Sequence, residues 1–159
     1  MLSPRNNVLI IKHGALGDII LATGHIKSIH KAHSTSHIIC LTTKTYAKLL
    51  AHCPWVDEVW IDPKPRYFDF LGWWRLVRLL RSKHFLWVYD LQTSDRSNFY
   101  WWLVNSPKKW SGVALFASHR QVHKDRHTMH TIDRLTHQLE ITRLNPDSAP
   151  DISWMKGNI

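Results

Sequence analysis

Short apolar runs alternate along the chain with segments in which apolar residues recur at helical spacing. The apolar runs predict five β-strands, at residues 8–12, 37–43, 58–61, 86–91 and 108–114. The helical patterns predict five α-helices, at residues 18–31, 45–52, 68–83, 94–104 and 131–141. Residues 117–129 are polar and predict a loop, and residues 145–159 form a tail with two prolines and no clear period.

The alternation of strand and helix predicts the fold class. It is typical of an α/β protein with a Rossmann-like, doubly wound and mostly parallel sheet. We expect one such domain over residues 1–145, with residues 146–159 as a tail or the start of an interdomain linker. Ligands of these sheets bind beyond the carboxyl ends of the strands. The segments after Lys12 and around Asp90 fall at such ends and are the candidate chemistry of the chain.

The predicted helix at residues 68–83 has two faces of different character. One face is wide and apolar, and the other carries Arg75, Arg78 and Arg81 with Leu71 and Trp74 among them. Two interpretations remain open. The helix packs on the sheet as an ordinary amphipathic helix, or its arginine face, with the two apolar residues, rests on a membrane.

Composition adds a basic charge and an excess of tryptophan. The 21 Lys and Arg residues against 12 Asp and Glu give a formal charge of +9 and a pI of about 9.8. Such a charge favours anionic partners, which include nucleic acid, lipid head groups and phosphorylated substrates, but it is also found in merely basic soluble proteins. Nine tryptophans are present, and several have a basic neighbour, which suits a membrane interface as well as a core.

The two cysteines and the apolar runs bear on the cellular compartment. Cys40 lies in the apolar run 37–41, which favours a buried, reduced thiol over a disulfide with Cys53 and a reducing, cytoplasmic setting. The apolar run 8–11 is too short for a secretory signal. No stretch reaches the roughly 20 apolar residues that span a bilayer. Any contact with a membrane is therefore expected from one side.

The segment Gly14-Ala15-Leu16-Gly17-Asp18 predicts a glycine-rich turn from the first strand into the first helix. It matches neither the dinucleotide-binding nor the P-loop fingerprint. It also places its own anion, Asp18, at the helix start, where a carboxylate repels a phosphate and is stabilised by the helix dipole. Asp18 is either an ordinary first-turn acid or a carboxylate held ready to take a proton.

Other catalytic constellations find little support. Twelve histidines are present, three of them (His123, His127 and His130) at helical spacing, but no H-E-x-x-H or Cys/His quartet occurs. We therefore expect no metal site. No motif supports a Ser or Cys nucleophile, and no nucleic-acid recognition motif is visible.

Four segments in the same order resemble glycosyltransferase family 9, the bacterial heptosyltransferases. They are residues 8–23 (VLIIKHGALGDIILAT), 54–59 (PWVDEV), 89–97 (YDLQTSDRS) and 130–134 (HTIDR). The resemblance extends over residues 8–150. It implies the N-terminal half of a GT-B fold, in which two Rossmann-like domains face each other across a cleft.

The resemblance also implies a function and a site. The first domain of such enzymes binds the lipopolysaccharide inner-core acceptor, a phosphorylated Kdo–lipid A, and the second binds the donor ADP-heptose. Asp18 takes the position of the general base. The expected acceptor-binding residues are Gly14, Gly17, Asp90, Gln92, Arg96 and Arg120. No cofactor or nucleic acid is expected, and the setting implied is cytoplasmic, peripheral on the inner membrane.

The chain departs from the family pattern in length. Family members are roughly twice as long, so the donor-binding domain is expected to be absent from these 159 residues. We expect a heptosyltransferase-like acceptor domain that is active only with a second half. Two rivals remain: a catalytically silent fragment that binds anionic glycolipid or membrane, and a basic α/β domain that binds nucleic acid.

Overall fold

A computed structural model of the protein describes residues 5–105 and 109–156. Its strands are β1 (Asn7–Ile11), β2 (His37–Thr42), β3 (Glu58–Ile61), β4 (Phe85–Asp90), β5 (Lys109–Gly112) and β6 (His119–Arg120). Its helices are α1 (Leu16–Ala32), α2 (Lys44–Ala51), α3 (Phe70–Leu80), α4 (Asp95–Leu103) and α5 (Thr131–Ile141), followed by a 3₁₀ turn (Ser153–Met155). Lys108, the first residue of the predicted fifth strand, and residues 157–159 of the predicted tail lie outside the described residues.

The six strands form one parallel sheet in the order β3-β2-β1-β4-β5-β6. Central β1 pairs with β2 on one side and with β4 on the other, so the strand order reverses there. This is the doubly wound Rossmann order, and the predicted α/β, Rossmann-like fold is confirmed. The prediction of a loop over residues 117–129 is wrong at β6. This two-residue edge strand pairs His119 and Arg120 with the end of β5, and its polar residues carry no apolar signal.

Helices cover both faces of the sheet, which explains why β1 is a continuous apolar run. Val8 and Ile10 point into a core shared with α1, α2 and α5. Leu9 and Ile11 point into a second core shared with α3 and α4. All four side chains have no exposed surface.

Helix α3 shows the two faces that the sequence predicts. The Asp69 carboxylate caps it by accepting a hydrogen bond from the Gly72 backbone N–H at 2.8 Å. Leu76 and Leu80 are fully buried, whereas Leu71 and Trp74 are exposed on the side that carries the arginines. Within the described ranges, no helix is long and apolar enough to cross a membrane.

Both cysteines are buried free thiols, which confirms the prediction of a buried thiol at Cys40. Burial raises the pKa of Cys40 to about 12 and that of Cys53 to about 11. Neither thiol is therefore present as the reactive thiolate at neutral pH.

The segment after residue 145 packs against α1. The Lys27 ammonium lies 2.6 Å from the Asp151 carboxylate, and the Asp151 backbone N–H donates to Thr23 Oγ1 at 2.9 Å. Gly24 allows this approach, because a Cβ there would collide with the carbonyl oxygen of Ala149. A glycine in the middle of a helix thus has a packing reason.

Candidate functional site

The glycine turn connects β1 to α1 at the carboxyl edge of the sheet. Gly14 has φ +135°, a backbone conformation that other residues rarely adopt, and a Cβ on it would lie 2.5 Å from the Tyr46 ring. Gly17 is exposed, and a Cβ on it would meet no atom within 4 Å. The first glycine therefore shapes the turn, and the second leaves open space beside it.

Asp18 lies in the first turn of α1 and is half-buried. Within the described ranges no hydrogen bond to another residue occupies its carboxylate. The carboxylate lies near the positive end of the α1 dipole, where an anion is favourable. The helix thus places the backbone of Asp18 at the carboxyl edge of the sheet and leaves the carboxylate without a hydrogen bond from the described residues.

Lys12 is a buried cation beneath the turn. Its side chain is nearly inaccessible, and its Nζ donates to the backbone oxygen of Leu91 at 3.3 Å. Burial lowers the pKa of Lys12, the nearby carboxylates of Asp18 and Asp90 oppose that shift, and Arg134 adds to it. Lys12 therefore interacts electrostatically with two carboxylates, that of Asp18 beyond the end of β1 and that of Asp90 at the end of β4.

Asp90 supports the loop after β4 from inside. It has no exposed surface and accepts hydrogen bonds from the backbone N–H groups of Gln92 and Thr93 and from Ser97 Oγ, at 3.1, 2.9 and 2.9 Å. Burial raises the pKa of Asp90 to about 6 against these hydrogen bonds. Asp90 contributes to a site through the loop that it holds, and its assignment to acceptor binding stays a prediction.

Gln92 joins that loop to the glycine turn. Its Oε1 accepts a hydrogen bond from the His13 backbone N–H at 3.0 Å. The Thr43 hydroxyl donates to the His13 carbonyl at 3.1 Å, so the loop after β2 is attached to the same residue. Three strand ends thus meet at His13.

A buried polar chain that the sequence does not reveal also reaches His13. The His13 Nε2 lies 2.7 Å from Asp62 Oδ2, and the Tyr100 hydroxyl donates to the same oxygen at 2.5 Å. Burial acts to raise the pKa of Asp62, but the contacts with His13, Tyr100 and the Lys64 N–H outweigh it and lower that pKa. The one available signal was the position of Asp62 directly after the predicted strand 58–61, at the same edge of the sheet as Asp90, which lies within the predicted strand 86–91 near its carboxyl end.

An open depression of about 590 Å³ lies over these strand ends. Gly14, Gln92, His13 and Asp62 contribute to its wall. The other lining residues, from the turn and the loops after β2 and β3, are Ala15, Thr43, Lys44, Thr45, Tyr46, Pro63 and Lys64. The depression is polar and borders the point where the strand order reverses, which is the usual ligand position in this fold.

The two arginines predicted for acceptor binding lie in neighbouring hollows. Arg96 donates to the Pro65 carbonyl at 3.1 Å and stands 5.6 Å from the Trp73 ring, in the groove between α3 and α4. Arg120 lines a separate cavity of about 310 Å³ with Arg126, which donates to Thr93 Oγ1 and Gln121 Oε1. The fold thus brings Gly14 and Gln92 together in one depression and places the arginines beside it.

No group of three or more His, Cys, Asp or Glu side chains is arranged to hold a metal ion in the part of the chain that the structure describes.

Comparison with known proteins identifies the class of fold. No protein-family model matches the sequence, and no curated protein matches it significantly in a sequence search. Solved structures do match. A glycosyltransferase family 9 structure from Veillonella parvula has a TM-score of 0.74 and 22% identity, over 95% of this chain and 45% of that one.

Two E. coli enzymes give the same result. Heptosyltransferase WaaC, solved with ADP-2-deoxy-2-fluoro heptose, has a TM-score of 0.69 and 16% identity, over 93% of this chain and 52% of that one. ADP-heptose lps heptosyltransferase II has a TM-score of 0.65 and 14% identity, over 83% of this chain and 40% of that one. The chain therefore has the Rossmann-like fold found in GT-B glycosyltransferases, and it spans about half the length of these structures. The resemblance to family 9 is confirmed at the level of the fold.

Proposed function

We propose that this chain is the acceptor-side domain of a glycosyltransferase of the heptosyltransferase type. Its reaction is the transfer of heptose from ADP-heptose to a phosphorylated Kdo–lipid A acceptor, at the cytoplasmic face of the inner membrane. The observation that carries the proposal is the Asp18 carboxylate in the first turn of α1, which accepts no hydrogen bond from any described residue and lies beside the open space left by Gly17.

Asp18 acts in this proposal as the general base. Its carboxylate takes the proton from the acceptor hydroxyl as that oxygen bonds to the anomeric carbon of the donor sugar. The bond from that carbon to the diphosphate breaks at the same time, and the nucleoside diphosphate leaves from the opposite face. General-base assistance of this kind contributes about 10²–10⁴ in rate.

Two arginines in the cavity lined by Thr93 and Gln121 supply the binding of an anionic acceptor. Arg120 and Arg126 line one cavity together with His123 and His127. Burial lowers the pKa of Arg126, Arg134 adds to that shift, and Asp90 opposes it. Guanidinium groups bind carboxylate and phosphate in a bidentate manner, so this cavity suits the charged groups of the acceptor.

In this proposal the donor binds to another domain, which supplies the nucleotide-binding half of the enzyme. The matched E. coli structures include complexes with ADP and with an ADP-heptose analogue, and this chain corresponds to about half of each. We propose that the donor half completes a cleft over the carboxyl edge of the sheet, opposite Asp18.

A reconstitution experiment tests the proposal. The chain is mixed with a separately produced donor-binding domain, ADP-heptose and solubilised Kdo–lipid A, and release of ADP is followed. Asp18→Asn is expected to lower the rate at least about 100-fold, because the amide cannot accept the proton. The matched control is Glu140→Gln, which neutralises an exposed carboxylate in the last turn of α5.

Equal loss in both variants, or no loss in Asp18→Asn, would reject Asp18 as the base. Binding of the acceptor without any transfer in the reconstituted mixture would favour the rival function, a silent domain that binds anionic glycolipid.

A further inference from the structure

The exposed aromatic side chains of the protein concentrate where the chain enters α3. Tyr67, Phe68 and Phe70 are 90%, 87% and 77% exposed, and Leu71 and Trp74 continue the surface along the first turns of the helix. We call these five residues the aromatic face. Leaving so much apolar surface in water is unfavourable, and an exposed patch of this kind marks an interaction site.

The surface extends from α3 to α4. The Trp73 and Phe99 rings meet edge to face with centroids 5.7 Å apart, and they join the two helices. Beyond them Trp102 packs against Phe116 at 5.6 Å, and both rings remain more than half exposed. A groove of about 690 Å³ runs between the helices. The aromatic face is therefore the edge of a wider apolar surface rather than an isolated loop.

Positive charge surrounds the aromatic face. Residues 64–83 contain six Lys and Arg residues and a single acid, Asp69. Lys83 is paired with Glu58 at 2.7 Å, and Asp95 of α4 lines the adjoining groove, so five cations of the segment remain to surround the face. The Asp69 carboxylate is engaged in capping α3. The Arg78 guanidinium lies 5.2 Å from the exposed Trp74 ring, so a cation and an indole are presented side by side.

The exposed aromatic side chains and the surrounding positive charge together favour one kind of partner for this surface. A second copy of the chain would bring two cationic surfaces together, which is unfavourable. An anionic bilayer binds both the aromatic side chains and the arginines, because aromatic rings insert at the head-group level and guanidinium groups bind lipid phosphates. We propose that the aromatic face docks the protein on an anionic phospholipid bilayer.

Docking at this face suits the site geometry. The loops after β3 and β4 lead into α3 and α4, so the docked surface borders the same edge of the sheet as the glycine turn. Docking rests on the proposed function in one respect: a lipid-linked acceptor would bring the chain to a bilayer.

Vesicle flotation tests the inference with no acceptor present. The probes are vesicles of phosphatidylcholine alone and of phosphatidylcholine mixed with phosphatidylglycerol. Binding is expected to the anionic vesicles only, and to weaken as salt is added. Phe70→Ser/Trp74→Ser is expected to weaken it at least about tenfold, whereas Ile152→Ser, at an apolar residue 48% exposed near the end of the chain, leaves it unchanged.

Two double substitutions, each of which removes two positive charges, test the electrostatic part of the binding. Arg75→Gln/Arg78→Gln is expected to weaken binding about 30-fold. Lys31→Gln/Lys48→Gln, which removes the same charge from α1 and α2, is expected to change it only slightly. Near-ultraviolet circular dichroism verifies that each variant is folded.

Three results would overturn the inference. The first is no binding to either kind of vesicle, and the second is binding that these substitutions do not change. The third is a dimer in sedimentation that Phe70→Ser/Trp74→Ser abolishes. The proposed function is tested separately. Asp18→Asn is expected to bind vesicles normally, and loss of transfer in that variant leaves the docking inference intact.

Discussion

The His13 backbone N–H donates a hydrogen bond to Gln92 Oε1 at 3.0 Å, which joins the turn after β1 to the loop after β4. These two strands are neighbours at the point where the strand order reverses. The hydrogen bond therefore holds together the two sides of the candidate site, and Asp90 fixes the loop that presents Gln92.

Gln92→Ala is expected to lower the free energy of unfolding by about 1–3 kcal/mol, because it leaves the His13 N–H without its partner. Gln92→Glu retains an oxygen acceptor at the same reach and is expected to lose less. Urea unfolding of the two variants measures the difference. An equal loss in both would mean that the hydrogen bond contributes little.

Gly14→Ala is expected to destabilise the protein by about 1–3 kcal/mol through its backbone conformation alone. The added methyl group would also press on the Tyr46 ring. Repeating the substitution with Tyr46→Ala separates the two costs, because only the steric one is relieved. Gly17→Ala is the matched control, because a Cβ there meets nothing and Gly17 lies within α1. It is expected to leave the protein at least as stable as the parent, with a gain of up to about 0.5–1 kcal/mol.

Asp90 is expected to make stability fall as pH rises. Its pKa is raised from 3.8 to about 6 in the folded state, so the folded protein holds the proton more tightly than the unfolded chain. The free energy of unfolding therefore decreases by about 3 kcal/mol between about pH 3 and pH 7 from this residue.

Comparison with Asp90→Asn isolates that contribution. Burial lowers the pKa values of His25 and His33, which gives the opposite slope over an overlapping range. Both proteins contain these histidines, so their contribution to the pH dependence cancels in the difference between the variant and the parent protein. Urea unfolding at several pH values is expected to show the variant gaining stability relative to the parent as pH rises, and a constant difference would contradict the assignment.

Gly24→Ala is expected to destabilise the protein, although this substitution within a helix ordinarily stabilises by about 0.5–1 kcal/mol. The methyl group would displace the carbonyl groups of Asp147 and Ala149 and with them the hydrogen bond from Asp151 to Thr23. Faster proteolysis after residue 145, measured against Gly17→Ala, reports the displacement. Unchanged proteolysis would show that the segment adjusts without leaving α1.

Local pattern was enough to predict most of the fold. β1, β2 and β4 are apolar on both sides because helices cover both faces of the sheet, and such runs stand out in a sequence. β6 gave no such signal. It consists of His119 and Arg120 at the sheet edge, and its backbone pairing with β5 does not depend on apolar side chains.

The candidate site was only partly predictable, for a physical reason. The turn at Gly14 and Asp18 is local in sequence, and its glycines indicate it. The contacts of Asp62 with His13 and Tyr100 join a strand end, a turn and a helix that are far apart along the chain. Each of the three residues is ordinary in its local sequence, and only the tertiary fold brings them together.

The burial of Cys40 and Cys53 has a consequence for observing motion in this protein. An alkylating reagent attacks the thiolate, and these thiols become thiolates only when water reaches them. The rate of alkylation under native conditions therefore measures how often the core opens around β2 and the end of α2. The two native thiols therefore report local unfolding, and substitutions at the glycine turn or on the aromatic face can be ranked with them without introducing another cysteine.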